Sequence, residues 1–306
     1  MKRRFKFTST VRDAMKRFLR GEYAQEQPDE TPLTETEETP ATPDVPTSEK
    51  ADEPDKKAKR DKTPAKEAAP ALLCYALTDV GKVRASNQDA LIQGDKLYGV
   101  ADGMGGHKGG ETASAEVRDG LIRLLDGKTP AIDTLRQAVE EINLSLYRQQ
   151  QQDEKLSGMG TTLTALWFSE RYVYIAQVGD SRAYRMRGGK LHQMTSDHSL
   201  VAELVRSGVL TPEQAADHPM RNVITRAVGT EDTVDVDILV EERQKGDLWL
   251  VCSDGLYGMT TDAAMEAIMK GSAAADCPRK LVDAALEGGG HDNVSVVILL
   301  DQEGSR

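Results

Sequence analysis

Three continuous apolar runs, each abutting an aspartate, constrain this chain most. Leu97-Tyr-Gly-Val-Ala101 closes on Asp102, Leu248-Trp-Leu-Val-Cys252 leads into Ser253-Asp254, and Asp292-Asn293 opens onto Val294-Ser-Val-Val-Ile-Leu-Leu300. Such runs read as buried strands, so three carboxylates are expected where strands emerge into loops. A fourth, Asp89, ends Arg84-Ala-Ser-Asn-Gln-Asp89. Carboxylate oxygens, a backbone carbonyl beside a flexible glycine, and water are the ligands that small hard divalent cations accept. No Cys or His cluster competes for a softer ion. A lone Asp-Gly is ordinarily a turn, because both residues tolerate positive φ. Turn chemistry alone does not require the rest: a Gly-rich loop carrying His107, Arg84 five residues before Asp89, and a Gly179-Asp-Ser-Arg182 turn.

The 306 residues divide by composition. Between Glu22 and Pro70, prolines fall at 28, 32, 40, 43, 46, 54, 64 and 70, and Leu33 and Val45 are nearly the only aliphatic residues. A segment like this cannot bury enough apolar surface to offset its ordering entropy. Residues 1–70 are therefore expected to be a disordered charged tail, and 71–306 a single domain long enough for a full core.

Charge is blocked along the tail. Residues 1–20 carry eight Lys/Arg against Asp13, residues 21–49 carry nine acids and no base, and residues 50–70 are mixed and basic again. The tail sums to about zero, so the net charge of -11 belongs to the domain, with 24 basic and 35 acidic residues. An acidic domain argues against nucleic acid as a partner. Cys74, Cys252 and Cys277 form no CxxC pair, which suggests a reducing compartment, and Cys252 reads as a small core residue. With no 18-residue apolar stretch and no signal-peptide core in the first twenty residues, the expected location is cytoplasmic. Phe5, Phe7, Val11, Met15, Phe18 and Leu19 have the partly helical, basic setting of a weak membrane-surface helix. Thr8-Ser9-Thr10 interrupts it, and membrane contact through residues 1–20 is not the favoured reading.

Periodicity gives short strands at 72–77, 90–92 and 96–101, with a turn at Gly94-Asp95. Helices follow over roughly 111–125 and 132–148, from apolar residues recurring at three and four. Four β-type runs, 161–168, 172–178, 183–186 and 191–194, are joined by short turns and are expected to form one antiparallel meander. A helix at 199–207, an irregular flap at 212–220, strands at 234–240 and 248–252, and helices at 262–269 and 278–286 precede the last strand. The pattern fits several α+β folds.

At this point the chain resembles the PPM family, the metal-dependent serine/threonine protein phosphatases of type 2C, in their bacterial form. The resemblance runs from about Thr78 to Leu300. It rests on Asn87-Gln-Asp89, Asp102-Gly-Met-Gly-Gly-His107, Gly158-Met-Gly-Thr-Thr162, Gly179-Asp-Ser-Arg182, Asp197-His-Ser199, Asn222-Val-Ile-Thr-Arg-Ala-Val-Gly229, Ser253-Asp-Gly255 and Asp292-Asn293, all in family order. It implies a four-layer α-β-β-α sandwich: two antiparallel sheets, helix pairs on the outer sides, and metals in a cleft at one edge.

The same resemblance implies two ions, Mn2+ or Mg2+, bridged by a water that attacks phosphoserine or phosphothreonine directly. Asp102 would bridge them, the Gly103 carbonyl joining one ion and Asp254 and Asp292 the other, with Asp89 acting directly or through water. Asp180 with Asp254 would hold a third, weaker ion, against the alternative of a turn aspartate bonding its own backbone. Gln88 stands where many members carry Glu. Arg84 is the phosphate clamp, its planar guanidinium matching two phosphoryl oxygens. His107 matches the general acid, or else holds a water. Asn293 is expected to orient Asp292. Of the other histidines, His192 reads as surface, His218 as flap, His291 as ordering the loop before Asp292, and His198 as part of the Asp197-His-Ser199 turn. The implied partners are phosphorylated proteins and an opposing bacterial serine/threonine kinase, with the chain acting as a monomer. Two other classes stay open: a binding module with a decayed site, and a phosphodiesterase or nuclease using the same two ions.

Overall fold

A strand sends alternate side chains to opposite faces, and here both faces of the central strands are apolar. Leu248, Leu250 and Cys252 join one buried cluster while Trp249 and Val251 between them join another. Val294, Val296 and Ile298 divide from Val297 and Leu299 in the same way. Burial on both sides is why these strands read as unbroken apolar runs. Cys252 is fully buried, as a core residue should be.

The computed structural model describes residues 72–105 and 109–303. The expected disordered tail, 1–70, lies outside the described residues, as does His107. In chain order the elements begin β1 (Leu72–Asp79), β2 (Asp89–Gln93), β3 (Leu97–Met104), α1 (Gly109–Leu125), α2 (Ile132–Gln152), β4 (Gly160–Thr161), β5 (Leu163–Phe168) and β6 (Tyr172–Val178). They continue β7 (Arg182–Arg187), β8 (Lys190–Gln193), α3 (Leu200–Arg206), α4 (Pro212–Ala216), β9 (Asp237–Glu242), β10 (Leu248–Cys252), α5 (Asp254–Tyr257), α6 (Asp262–Lys270), α7 (Cys277–Glu287) and β11 (Val294–Asp301).

The strands form two sheets, ordered β1-β11-β10-β7-β8 and β2-β3-β5-β6-β9, with the short β4 on β3. Tyr98, Val100, Leu166, Phe168, Ile175, Trp249, Val251 and Val297 fill the space between them. Val117, Leu121 and Leu125 of α1 and Leu135, Val139, Ile142 and Leu146 of α2 cover the outer face of the second sheet. Met265 and Met269 of α6 and Leu281, Val282 and Ala285 of α7 cover the first. These are the four layers α-β-β-α.

The single meander expected over 161–194 is corrected. β5 and β6 pair in one sheet and β7 and β8 in the other, so the chain crosses between sheets at Gly179-Asp180-Ser181. Gln177 drives the corner: its Nε2 donates to Gly179 O at 2.9 Å and Ser181 O at 2.8 Å, which bends the backbone back on itself. The flap is also more regular than expected. Thr211 and Gln214 form a reciprocal capping box that starts α4. No helix among the described residues is long and apolar enough to cross a membrane.

At the end of β11 remote from Asp292, Asp301 is fully buried and takes two bonds from Arg243, Nε at 2.7 Å and Nη2 at 2.8 Å. Removing one partner of a buried pair strands the other charge, whereas replacing both need not. Arg243→Met is expected to cost about 3–5 kcal/mol in urea denaturation. Arg243→Met combined with Asp301→Leu should recover most of it. Equal losses in the single and double variants would show that the pair's charge is not what matters.

Candidate metal centre

The β2–β3 register sets Asp89 directly opposite Asp102. Directly paired residues project to the same face of a sheet, so two acids share one side of this hairpin. β3 does not end at Ala101, as the apolar run suggested. It continues through Asp102 to Met104 because β4 pairs Gly103 with Thr161 and Met104 with Gly160. Asp102 is therefore held as strand: its N–H donates to Thr162 Oγ1 at 2.9 Å, while its carbonyl accepts from Thr162 N at 2.8 Å and Thr161 Oγ1 at 2.9 Å. At Gly103 a Cβ would overlap the Gly110 carbonyl oxygen, so only glycine lets α1 approach this closely.

Asp254 begins α5 directly after β10. Ser253 joins the two sheets: its hydroxyl donates to Asp89 Oδ2 at 2.7 Å and accepts from Ser295 N at 3.0 Å. Asp292 precedes β11 and carries Arg84, whose Nη2 lies 2.7 Å from its Oδ2 on a side chain 53% exposed. Asn293 contacts Asp292 only through its own backbone N–H, 2.8 Å from Oδ1. Its side chain meanwhile anchors the 80–88 loop. Nδ2 donates to Val80 O and Ser86 O, and Oδ1 accepts from Gln88 N. Asn293 thereby fixes the segment that carries Arg84 and Asp89.

Asp180 sits on the crossover corner and is 5% exposed. Tyr257 Oη donates to its carbonyl at 2.9 Å, tying α5 to the corner. Beneath lies Arg182, stacked 3.6 Å over the Tyr257 ring and bonded through Nε and Nη2 to Asp197. Of this corner only Asp180 is assigned a part from the sequence; Gly179, Ser181 and Ser253 lie in the family-like motifs without one, and Tyr257 gives no signal in the sequence.

Burial and mutual repulsion make the acids hard to ionise. Burial first, then Asp180, Asp292 and Asp89, push the Asp254 carboxyl up to about 8. Burial and Asp197 bring Asp180 to about 6. Asp102 rises well above its ordinary range through burial and then Asp89, Asp254, Asp180 and Asp292. Asp89 is raised by burial, against hydrogen bonds from Ser295 and Ser253. Burial works against the charge on Arg84, but Asp292, then Asp102 and Asp254, outweigh it.

Among the described residues no three acidic, His or Cys side chains converge on a point that would cage one ion. Two buried carboxylate oxygens among the described residues nevertheless have no hydrogen-bond partner, Asp89 Oδ1 and Asp254 Oδ1. Buried carboxylate oxygens left unbonded are costly unless something positive meets them. An all-oxygen donor set with two such orphans fits hard divalent cations.

The sequence pattern named Protein phosphatase 2C matches residues 78–286. The chain belongs to the protein phosphatase 2C family. It is 40% identical over 226 residues to the serine/threonine protein phosphatase PstP of Mycobacterium tuberculosis, covering 73% of this chain and 44% of the relative. The chain thus spans under half the length of that relative. To the serine/threonine phosphatase stp of Listeria innocua it is 38% identical over 241 residues, covering 72% of this chain and 93% of the relative. The crystal structure of the PstP catalytic domain in complex with two manganese ions superposes with a TM-score of 0.69 at 37% identity, covering 74% of this chain and 97% of that one. Within this phosphatase 2C chain the matched span contains Arg84, Asp89, Asp102, Gly103, Asp180 and Asp254, and stops short of Asp292 and Asn293.

Proposed function

We propose that this chain is a metal-dependent protein phosphatase that hydrolyses phosphoserine and phosphothreonine by direct attack of water, without a covalent enzyme intermediate. The observation that carries the reading is the pair of buried, unpartnered oxygens on Asp89 and Asp254, within a group of five acids beside a partly exposed arginine. Two manganese or magnesium ions, when bound, activate water near neutral pH and neutralise phosphoryl oxygens. Asp102, the Gly103 carbonyl, Asp254 and Asp292 would hold them, with Asp89 acting directly or through water, and Asp180 with Asp254 would hold a third ion.

Arg84 leaves Asp292 to grip the phosphate dianion with two parallel N–H donors, a motion its 53% exposure permits. His107 protonates the departing serine or threonine oxygen. The substrates are phosphoproteins, opposed by a serine/threonine kinase, and the chain works in the cytoplasm as a monomer.

A leaving-group comparison tests the reading. A general acid matters most where the leaving oxygen is strongly basic, so His107→Ala should slow phosphopeptide hydrolysis by about 10²-fold or more and p-nitrophenyl phosphate hydrolysis far less. Arg84→Ala should raise KM for both substrates, because it removes phosphate binding whatever the leaving group. Equal losses for His107→Ala on both substrates would assign that residue to holding water. Absence of metal-dependent turnover in the unaltered chain would remove the phosphatase reading itself.

A further inference from the structure

Residues 199–225 leave the sandwich and return through a narrow neck. Ser199 bridges Ile224, Leu200 N donates to Val223 O at 2.9 Å, and Thr225 N donates to His198 O at 2.8 Å. His198 sits on this neck and is only 2% exposed. Its bonds run to the sheet-crossing corner. The His198 N–H donates to Gly179 O at 2.9 Å, and the Gly179 N–H donates back to His198 Nδ1 at 3.1 Å.

The ring's other nitrogen, Nε2, lies 3.1 Å from Asp237 Oδ2 at the start of β9. Because Nδ1 accepts from a peptide N–H, the ring proton sits on Nε2 and is given to Asp237. Arg226 Nη1 also stands 3.1 Å from Nε2, but its two hydrogens are directed to Asp237 Oδ1 at 2.8 Å and Asp235 O at 2.9 Å. It steadies the carboxylate rather than bonding the ring.

The corner has little freedom of its own. Gly179 has φ +96°, and a Cβ there would meet the Thr162 side chain at 2.7 Å. Thr162 Oγ1 in turn lies 2.7 Å from Ser181 Oγ and accepts from Asp102 N. Asp180 is thus carried on a short segment held by Thr162 and Gln177 on one side and by His198 on the other. The excursion lines a cleft of about 780 Å³ that also reaches Asp180, Asp254 and Tyr257, with Arg206 and Arg221 on the excursion side.

We propose that His198 is a positioning residue that ties the corner carrying Asp180 to the neck of the 199–225 excursion, so that one ring sets both. The proposal rests on the metal-centre reading above, since it is the aim of Asp180 toward a bound cation that the ring would govern. It assigns a part to the Asp197-His-Ser199 motif, which the chemistry of water attack leaves unused.

The two nitrogens can be tested apart in the full chain. An asparagine amide can place its oxygen where Nδ1 stands, and a glutamine amide can place its N–H where Nε2 stands. Manganese binding is measured by calorimetry, together with melting and the rate of trypsin cleavage after Arg206 and Arg221. The binding step of interest is the one lost in Asp180→Asn. His198→Asn should keep that step within about twofold, whereas His198→Gln should weaken it by about tenfold, the scale of changes to groups that orient metal ligands. Trypsin should cut His198→Gln several-fold faster at the two arginines.

Unchanged manganese affinity in His198→Gln, equal losses in both variants, or no binding step dependent on Asp180 would each overturn the proposal. If His198→Gln does not fold, His198→Leu, which likewise cannot accept from Gly179 N, takes its place, and an unaltered manganese affinity there overturns it as well. A wild-type chain that binds manganese yet turns over no phosphoester counts against the phosphatase reading alone.

Discussion

Asp254→Asn is expected to lower phosphopeptide turnover by about 10³-fold or more while raising the melting temperature of the metal-free protein. The two effects share a cause. Water activated near neutral pH depends on a bound cation, and the carboxylate that attracts it cannot be replaced by a neutral amide. Without the cation the same carboxylate is a liability, because it is buried beside Asp180, Asp292 and Asp89 and one of its oxygens has no partner. The amide keeps the shape and removes the charge. Turnover by Mn2+-loaded enzyme and melting after chelation are measured on the same preparation. Near-wild-type turnover would sink the mechanism, and a lower melting point would show that the acids do not repel as their burial implies.

The second large effect concerns pH. Asp254 is raised from 3.8 to about 8 and Asp180 from 3.8 to about 6, both chiefly by burial. A group that binds its proton more tightly when folded stabilises the fold below its unfolded value, and that contribution is lost as pH rises through the folded value. The metal-free protein should therefore lose stability steadily from about pH 4 to pH 8, and Mn2+ should restore more at pH 8 than at pH 5. Melting curves at fixed ionic strength, with and without Mn2+, give both slopes. The slope without metal should flatten in Asp254→Asn. A metal-free melting temperature that climbs from pH 5 to pH 8 would contradict the sign.

The strand-abutting aspartates were legible because each lies beside an apolar run whose burial is written in its composition. The crossing at 179–181 was not. A three-residue link between β-type runs looks the same whether the second strand stays in its sheet or changes sheets. Only the side chain of Gln177, folded back onto two carbonyls, separates the cases. The α5 turn escaped for another reason, since Asp-Gly-Leu-Tyr is too short to show a helical period. Asn293 could be placed beside Asp292 by adjacency, but its side-chain partners Val80 and Ser86 stand more than two hundred residues away in sequence. No local pattern can name such partners. His198 read as an ordinary turn residue because its bonds to Gly179 and Asp237 likewise exist only once the sheets are assembled.

Ser253 belongs to the first sheet's side and Asp89 to the second, and their 2.7 Å hydrogen bond spans the gap between layers. Asp102 comes from one layer, and Asp254 and Asp292 follow or precede strands of the other. The centre is therefore a vernier: its halves coincide at only one offset of the sheets. Slippage of an ångström or so between Trp249 and Phe168, which meet edge to face at 6.2 Å in the interlayer core, would leave every strand intact and still part the acids. Loss of activity can thus precede any loss of secondary structure, which makes turnover a finer gauge of how the layers are seated than any measure of strand content.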